Sequence, residues 1–420
     1  MPFYLKVLAP GERSGMEAWN FWRDYLDLPR VREDPEWSFR AWVHNRYMAM
    51  NYPNELSHDE DLSQPFASSE GREAGQRGNE GWYLSRRNSR PYWPPEEVAI
   101  NRWIATPFHR FNMIDPRAVN GGFGVYRDVG AVPGLGDGFG RTWANLPNLY
   151  GGSPGTRPQL FPAPDRAVAL NQYWGAENPN PTAPCSNPSR PQVRPFLTQE
   201  GLTWDDGNGV VRNPIGLPIT LQTFPSVPVD TQVLDARLTR LSDGALNPLC
   251  AYGSLQYWEG RNFWYQGALT GLRGWGVVVA FPHDPLTPGE AYEAYLKVRL
   301  GSELRGFTWR FSVAGQGDLY LAPFTTATHR AAPRGERRAQ ASRAFSLDRV
   351  ARRAEASPTR GGREAGFVGE PSVFPRVGAP AVVRSLLGEG LEAKGVPPRA
   401  QAPAAHLGPL ALAASRTASR

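Results

Sequence analysis

The chain has 420 residues, with 46 Lys and Arg against 40 Asp and Glu and a formal net charge of +6. Two or three folding units are expected at this length, and no run reaches the ~20 apolar residues of a membrane span. The basic balance does not point to a specific nucleic-acid partner, because residues 327–420 hold 16 basic and 7 acidic side chains and leave the rest mildly acidic.

The first residues, MPFYLKVLAPGERSG, lack the apolar core and cleavage site of a signal peptide, so no export signal is read there. Residues 16–26 (MEAWNFWRDYL) place Ala18, Trp22 and Leu26 four apart, which predicts an amphipathic helix. Asp34-Pro35-Glu36 opens a second helix, with Asp as N-cap and Pro at the first position; it runs to the turn at Tyr52-Pro53-Asn54. A polar, glycine-containing stretch follows (SHDEDLSQPFASSEGREAGQRGNEGWYLS). A third helix starts at Pro94-Pro95-Glu96-Glu97, pairs Ala99 with Trp103 and Ile100 with Ile104, and ends before Pro107.

Beyond His109 the pattern changes to short glycine-bounded strands, GGFGVYRDVG and RTWANL, joined by the loop GLGDGFG. That loop lacks the GK[ST] ending and helix context of a phosphate-binding motif. Residues 1–150 thus read as one unit of helices on both sides of a small antiparallel sheet. Residues 151–193 are rich in Pro, Gly and Asn and read as a linker or wrapping segment. Over 194–316 the chain alternates in the β manner, and Tyr292, Ala294, Leu296 and Val298 share one face of AYEAYLKVRL. Strand-rich modules of this kind are commonly sandwiches.

Residues 317–420 read as a low-complexity, disordered basic tail. From Ala327 it contains no Trp, Tyr, Cys or Met, too little to offset its ordering entropy. The abrupt change of composition also fits a shifted reading frame, and no function is read there. The two cysteines, Cys185 and Cys250, allow one disulfide in an oxidising compartment and no disulfide framework.

Six histidines can be weighed singly. His283 lies in a turn between strands. His44 shares its helical face with Ala41 and Met48 and reads as a packed helix residue. His58 in SHDED and His109 in TPFHR are different, since each stands beside a loop or helix end. Trp103, Thr106, Pro107, His109, Arg110, Met113, Ile114, Asp115 and Pro116 make up a W-x-x-(S/T)-P-x-H-R motif followed by a hydrophobic pair and D-P.

With the preceding helix, Ser57-His58 and Gly78-Asn79-Glu80-Gly81, this order resembles the bacterial branch of the CAP superfamily. These are the SCP-like modules related to cysteine-rich secretory proteins, antigen 5 and pathogenesis-related proteins. The resemblance covers about residues 14–150 and implies an α+β chain opening on an α-β-α sandwich. It implies a central cleft with two histidines and acidic residues, which in several members holds a divalent metal. His58 and His109 match the two cavity histidines and are the metal candidates. The cavity glutamate belongs to a Gly-Glu-Asn motif, whose place falls on Asn79, or on Glu80 if the register slips by one; no second acid is found near Trp103.

The later strands resemble the Ig-like unit that follows such domains in bacterial surface proteins, through Gly216–Phe224, Pro285–Tyr292 and Trp309–Phe311. Two neutral imidazoles suit an ion such as zinc at ~2.0–2.1 Å, and a metal-bound water could serve a hydrolase. The opposing expectation is that the histidines order the cleft through hydrogen bonds alone. The chain carries no HExxH and no Ser-His-Asp order. The reading is an exported surface or secreted binding module for a small ligand, lipid or cell-envelope component. A metal-dependent hydrolase of peptide or wall substrates and an adhesive surface protein are the alternatives.

Overall fold

The computed structural model describes residues 13–319, apart from 54–56, 88–89, 133–135, 154, 156, 174–176, 178, 187–203, 206–210, 213–214 and 258–262, together with 362–368. The expectations for the N-terminal leader and for most of the tail fall outside these residues.

Helix α1 (Gly15–Tyr25) begins at a capping box in which Ser14 and Glu17 satisfy each other's backbone amides. Its buried stripe includes Ala18, Trp19 and Trp22, as the four-residue spacing requires. Strand β1 (Arg32–Glu33) leads into α2 (Pro35–Asn51), where Asp34 Oδ1 accepts the amides of Glu36 and Trp37. The polar stretch that follows holds α3 (Ser69–Arg77) and β2 (Gly78–Arg87), neither predicted from its composition. After β3 (Arg90–Pro91) comes α4 (Glu96–Ala105), and the chain turns at Thr106 directly into α5 (Pro107–Met113). Pro107 therefore ends one helix and opens the next, the position where its missing N–H costs nothing.

Strands β4 (Ala118–Gly121), β5 (Gly124–Val132) and β6 (Gly136–Tyr150) complete the first sheet. Gly136–Gly140, read from sequence as loop, are part of β6. The order is β1-β4-β6-β2, with β3 beside β2 and β5 beside β6. On β2, Trp82 and Leu84 pack with Trp143 of β6 and with Tyr47 and Met48 of α2. Tyr83 points the other way, into a cluster with Trp19, Trp22, Ile100 and Trp103 of α1 and α4. Side-chain alternation along one strand thus gives helices on both faces of the sheet.

The rest of the described chain builds two larger sheets and one small ribbon. Strands β7 (Gln159–Phe161) and β8 (Ala167–Val168) precede a 3-10 turn at Ala183–Ser186, and β9 (Trp204–Asp205) pairs with β10 (Val211–Arg212). Then follow β11 (Ile219–Gln222), β12 (Thr231–Arg240), β13 (Leu246–Asn247), β14 (Leu249–Gly253), β15 (Val277–Pro282), β16 (Ala291–Leu300) and β17 (Glu303–Val313). The sheets have the orders β14-β15-β11-β7 and β13-β12-β16-β17-β8. A helix absent from the sequence reading, α6 (Phe263–Gly274), interrupts the strands and buries Ala268 and Leu272 four residues apart.

Val277–Pro282 is buried on both faces, which explains its unbroken apolar run. Val278 and Ala280 join the core shared with Leu296 and Phe311, whereas Val277, Val279 and Phe281 meet Phe108 and Phe111 of α5. Cys185 and Cys250 form a disulfide. In the tail, β18 (Gly362–Val368) pairs antiparallel with β2.

Candidate functional site

The expected cleft centred on Asn79 and Glu80, adjacent residues at the start of β2. Adjacent strand residues point to opposite faces, and their contacts obey that rule. Glu80 has the same phase as Trp82 and Leu84 and faces α2 and α3. Asn79 has the phase of Tyr83 and faces α4 and α5.

On the α2 face, Glu80 Oε1 lies 2.7 Å from His44 Nε2 and 3.2 Å from His58 Nδ1. The other nitrogen of His44, Nδ1, is 2.9 Å from Glu60 Oε1, and Glu60 Oε2 accepts the amide of Ser68 at 2.7 Å. His58 Nδ1 donates to the carbonyl of Gly75 at 2.7 Å, which fixes the proton on that nitrogen because a carbonyl only accepts. His58 Nε2 has no hydrogen-bond partner among the described residues. Gly75 is required here: a Cβ would stand 2.5 Å from both His44 Cε1 and the His58 carbonyl oxygen.

All four residues are at most 2 % exposed. Burial by itself would push the His44 imidazole down, but the charge of nearby Glu80 and the hydrogen bond to Glu60 outweigh it and hold the ring up at about 9. Burial would likewise raise Glu80, and the facing His58 and His44 bring it down to about 2. His44 is thus an imidazolium gripped by two carboxylates at neutral pH.

On the α5 face, His109 Nδ1 lies 2.5 Å from Glu177 Oε1, which also accepts the His109 amide at 2.7 Å. The ring stacks on Trp103, with centroids 6.4 Å apart and 12° between planes. Asn79 Nδ2 donates to the His109 carbonyl at 2.9 Å and Asn79 Oδ1 accepts from Asn112 at 3.0 Å. His109 Nε2 has no hydrogen-bond partner among the described residues. Arg110, fully buried, donates to the carbonyls of Ile104 (2.6 Å) and Pro218 (2.8 Å) and to Thr220 Oγ1 (3.1 Å). Its guanidinium stacks 3.8 Å over Phe161, and burial lowers it to about 9.

Of the four predicted site residues, the structure joins His58 with Glu80 and His109 with Asn79, and it sets the two pairs on opposite faces of β2. Glu80 rather than Asn79 meets the first histidine. A metal held jointly by His58 and His109 does not fit this arrangement. Among the described residues no group of three or more His, Cys, Asp or Glu could hold a metal ion. Three participants were missed in the sequence. His44 was taken as a packed helix residue; its buried face with Ala41 and Met48 is what delivers it to Glu80. Glu60 stood two residues from His58. Glu177 gave no signal in its Pro/Asn-rich segment.

Residues 16–130 match the model of the cysteine-rich secretory protein family, CAP, so that this part of the chain carries a CAP domain. No curated protein and no solved structure matches the chain. Glu177 and both cysteines lie outside the matched segment.

Proposed function

We propose that the chain is an exported, non-catalytic binding protein of the bacterial surface or secreted fraction. In this reading a CAP unit over 1–150 and a connecting segment over 151–193, which lends β7 and β8 to the sheets that follow, lead to an Ig-like module over 194–316. The observation that supports it is that His58 meets Glu80 on the α2 face of β2, whereas the His109 ring meets Glu177 and Trp103 on the α4–α5 face. A metallohydrolase needs donors converging on one ion with an open position for water, and these histidines do not converge. The buried Cys185–Cys250 disulfide supports an oxidising, extracytoplasmic setting. Among the described residues no helix is long and apolar enough to cross a membrane.

The test uses the full chain with purified peptidoglycan and with anionic phospholipid vesicles as probes, and with zinc alone in a calorimeter. The expected outcome is sedimentation with wall or vesicles, no release of wall fragments, and no stoichiometric zinc binding. Zinc binding lost in both His58→Ala and His109→Ala, or zinc-dependent fragment release, would overturn the reading in favour of a hydrolase.

A further inference from the structure

The α5 face contains a carboxylate that comes from outside the CAP segment. Glu177, 1 % exposed at its side chain, reaches back to the His109 ring and to the amides of His109 (2.7 Å) and Phe108 (3.3 Å). The segment bearing it is held on three further points. Tyr252 Oη donates to the Pro181 carbonyl at 2.6 Å, Tyr257 Oη donates to the Asn180 carbonyl at 3.0 Å, and Cys185 is bonded to Cys250 of β14. The Tyr257 ring meets Phe108 edge-on with centroids 5.7 Å apart.

We propose that Glu177 is an intrachain latch. The disulfide-tethered segment seats its carboxylate on His109 and closes that imidazole to outside ligands, so that access to the α5 face of the CAP domain is controlled by the chain downstream of it. The inference stands apart from the identity of any ligand. Three features support it. Glu177 takes the ring nitrogen and two backbone amides at once, a grip a soluble carboxylate would have to displace. Trp103 stacks on the His109 ring and Asn79 holds the His109 backbone carbonyl, so the turn that presents the ring to Glu177 is fixed from the CAP side. His44 and His58 sit on the opposite face of β2 with other partners, so opening the latch leaves them covered.

The experiment is carbethoxylation of the full-length protein by diethyl pyrocarbonate, read at each histidine by peptide mass spectrometry. His283, with its side chain 45 % exposed, is the internal reference. In the wild type His109, His44 and His58 should react far more slowly than His283. In Glu177→Gln, which keeps the shape but loses the charge, and in Glu177→Ala, His109 alone should speed up, by about tenfold or more as the local opening is favoured. The Cys185→Ala/Cys250→Ala variant should move His109 in the same direction.

Unchanged His109 reactivity in both Glu177 variants would overturn the proposal. So would a joint rise at His109, His44 and His58, since that reports global opening. If the variants do not fold, hydrogen exchange of the wild type decides. The latch requires the His109 amide and those of Thr182, Ala183 and Cys185 to open in one event, and independent exchange of the two would overturn it.

Discussion

Replacing His44 by Gln is the sharpest test of the α2 face. The substitution keeps a polar side chain but removes the positive charge between Glu60 and Glu80, both of which stay buried. The ring is held at about 9 against an ordinary 6.5. Its stabilisation is fully present below the unfolded value and is lost as pH rises through the folded one. At 1.36 kcal/mol per unit that is about 3 kcal/mol. The lowered Glu80 reflects His58 first and His44 second, so it shares the His44 contact and the two are not added. Leaving a buried charge uncompensated costs ~3–5 kcal/mol in comparable cases, and the two routes agree. Urea unfolding of the full chain, followed by tryptophan fluorescence, should show this loss for His44→Gln near neutral pH. The wild type should weaken between about pH 6.5 and pH 9, and the variant should be flat across that interval. A loss below ~1 kcal/mol would refute the network as a source of stability, and so would an alkaline decline that persists in the variant.

Three further outcomes are expected. Glu80 is held at about 2 against an ordinary 4.5, so its stabilisation is present above 4.5 and disappears as pH falls towards 2; Glu80→Gln should flatten that acid limb in an acid-unfolding titration. Gly75→Ala places a methyl 2.5 Å from His44 Cε1 and from a backbone oxygen that has little room to yield. It should destabilise by ~1–3 kcal/mol, visible as a lowered melting temperature. Opening the disulfide, which closes a loop of 65 residues, should cost about 4 kcal/mol on the chain-entropy model, measured as a lowered urea midpoint in Cys185→Ala/Cys250→Ala.

How much of this was legible follows from where each signal is stored. The starts of α2 and α4 were written locally, in Asp34-Pro35 and Pro94-Pro95, because caps and fixed φ need only neighbours. Helix α3 has a single buried alanine, Ala74, among its polar residues, so no apolar stripe announced it. The phase of β2 was readable in principle: Trp82 and Leu84 share it with Glu80, and those residues had to face a helix. What sequence could not say was which helix, and therefore that His58 and His109 would fall on different sides. Glu177 was beyond local reading altogether, because it lies 68 residues from His109 and nothing in its neighbourhood marks it.

That distance also explains the histidine in TPFHRF. Four of the residues over 108–111 are engaged by chain beyond residue 150. Phe108 and Phe111 pack with Val277, Val279 and Phe281, His109 meets Glu177, and Arg110 reaches Pro218 and Thr220. The Gln222 amide closes the set by donating to the Phe111 carbonyl at 3.1 Å. A buried guanidinium with only carbonyls and a hydroxyl as direct acceptors is costly unless all of them are kept in place. Two of Arg110's three acceptors, Pro218 just before β11 and Thr220 within it, belong to the downstream region. The CAP motif in this chain therefore has its histidine turn completed by the β-rich region, and the charge and packing of α5 make sense only with that region present.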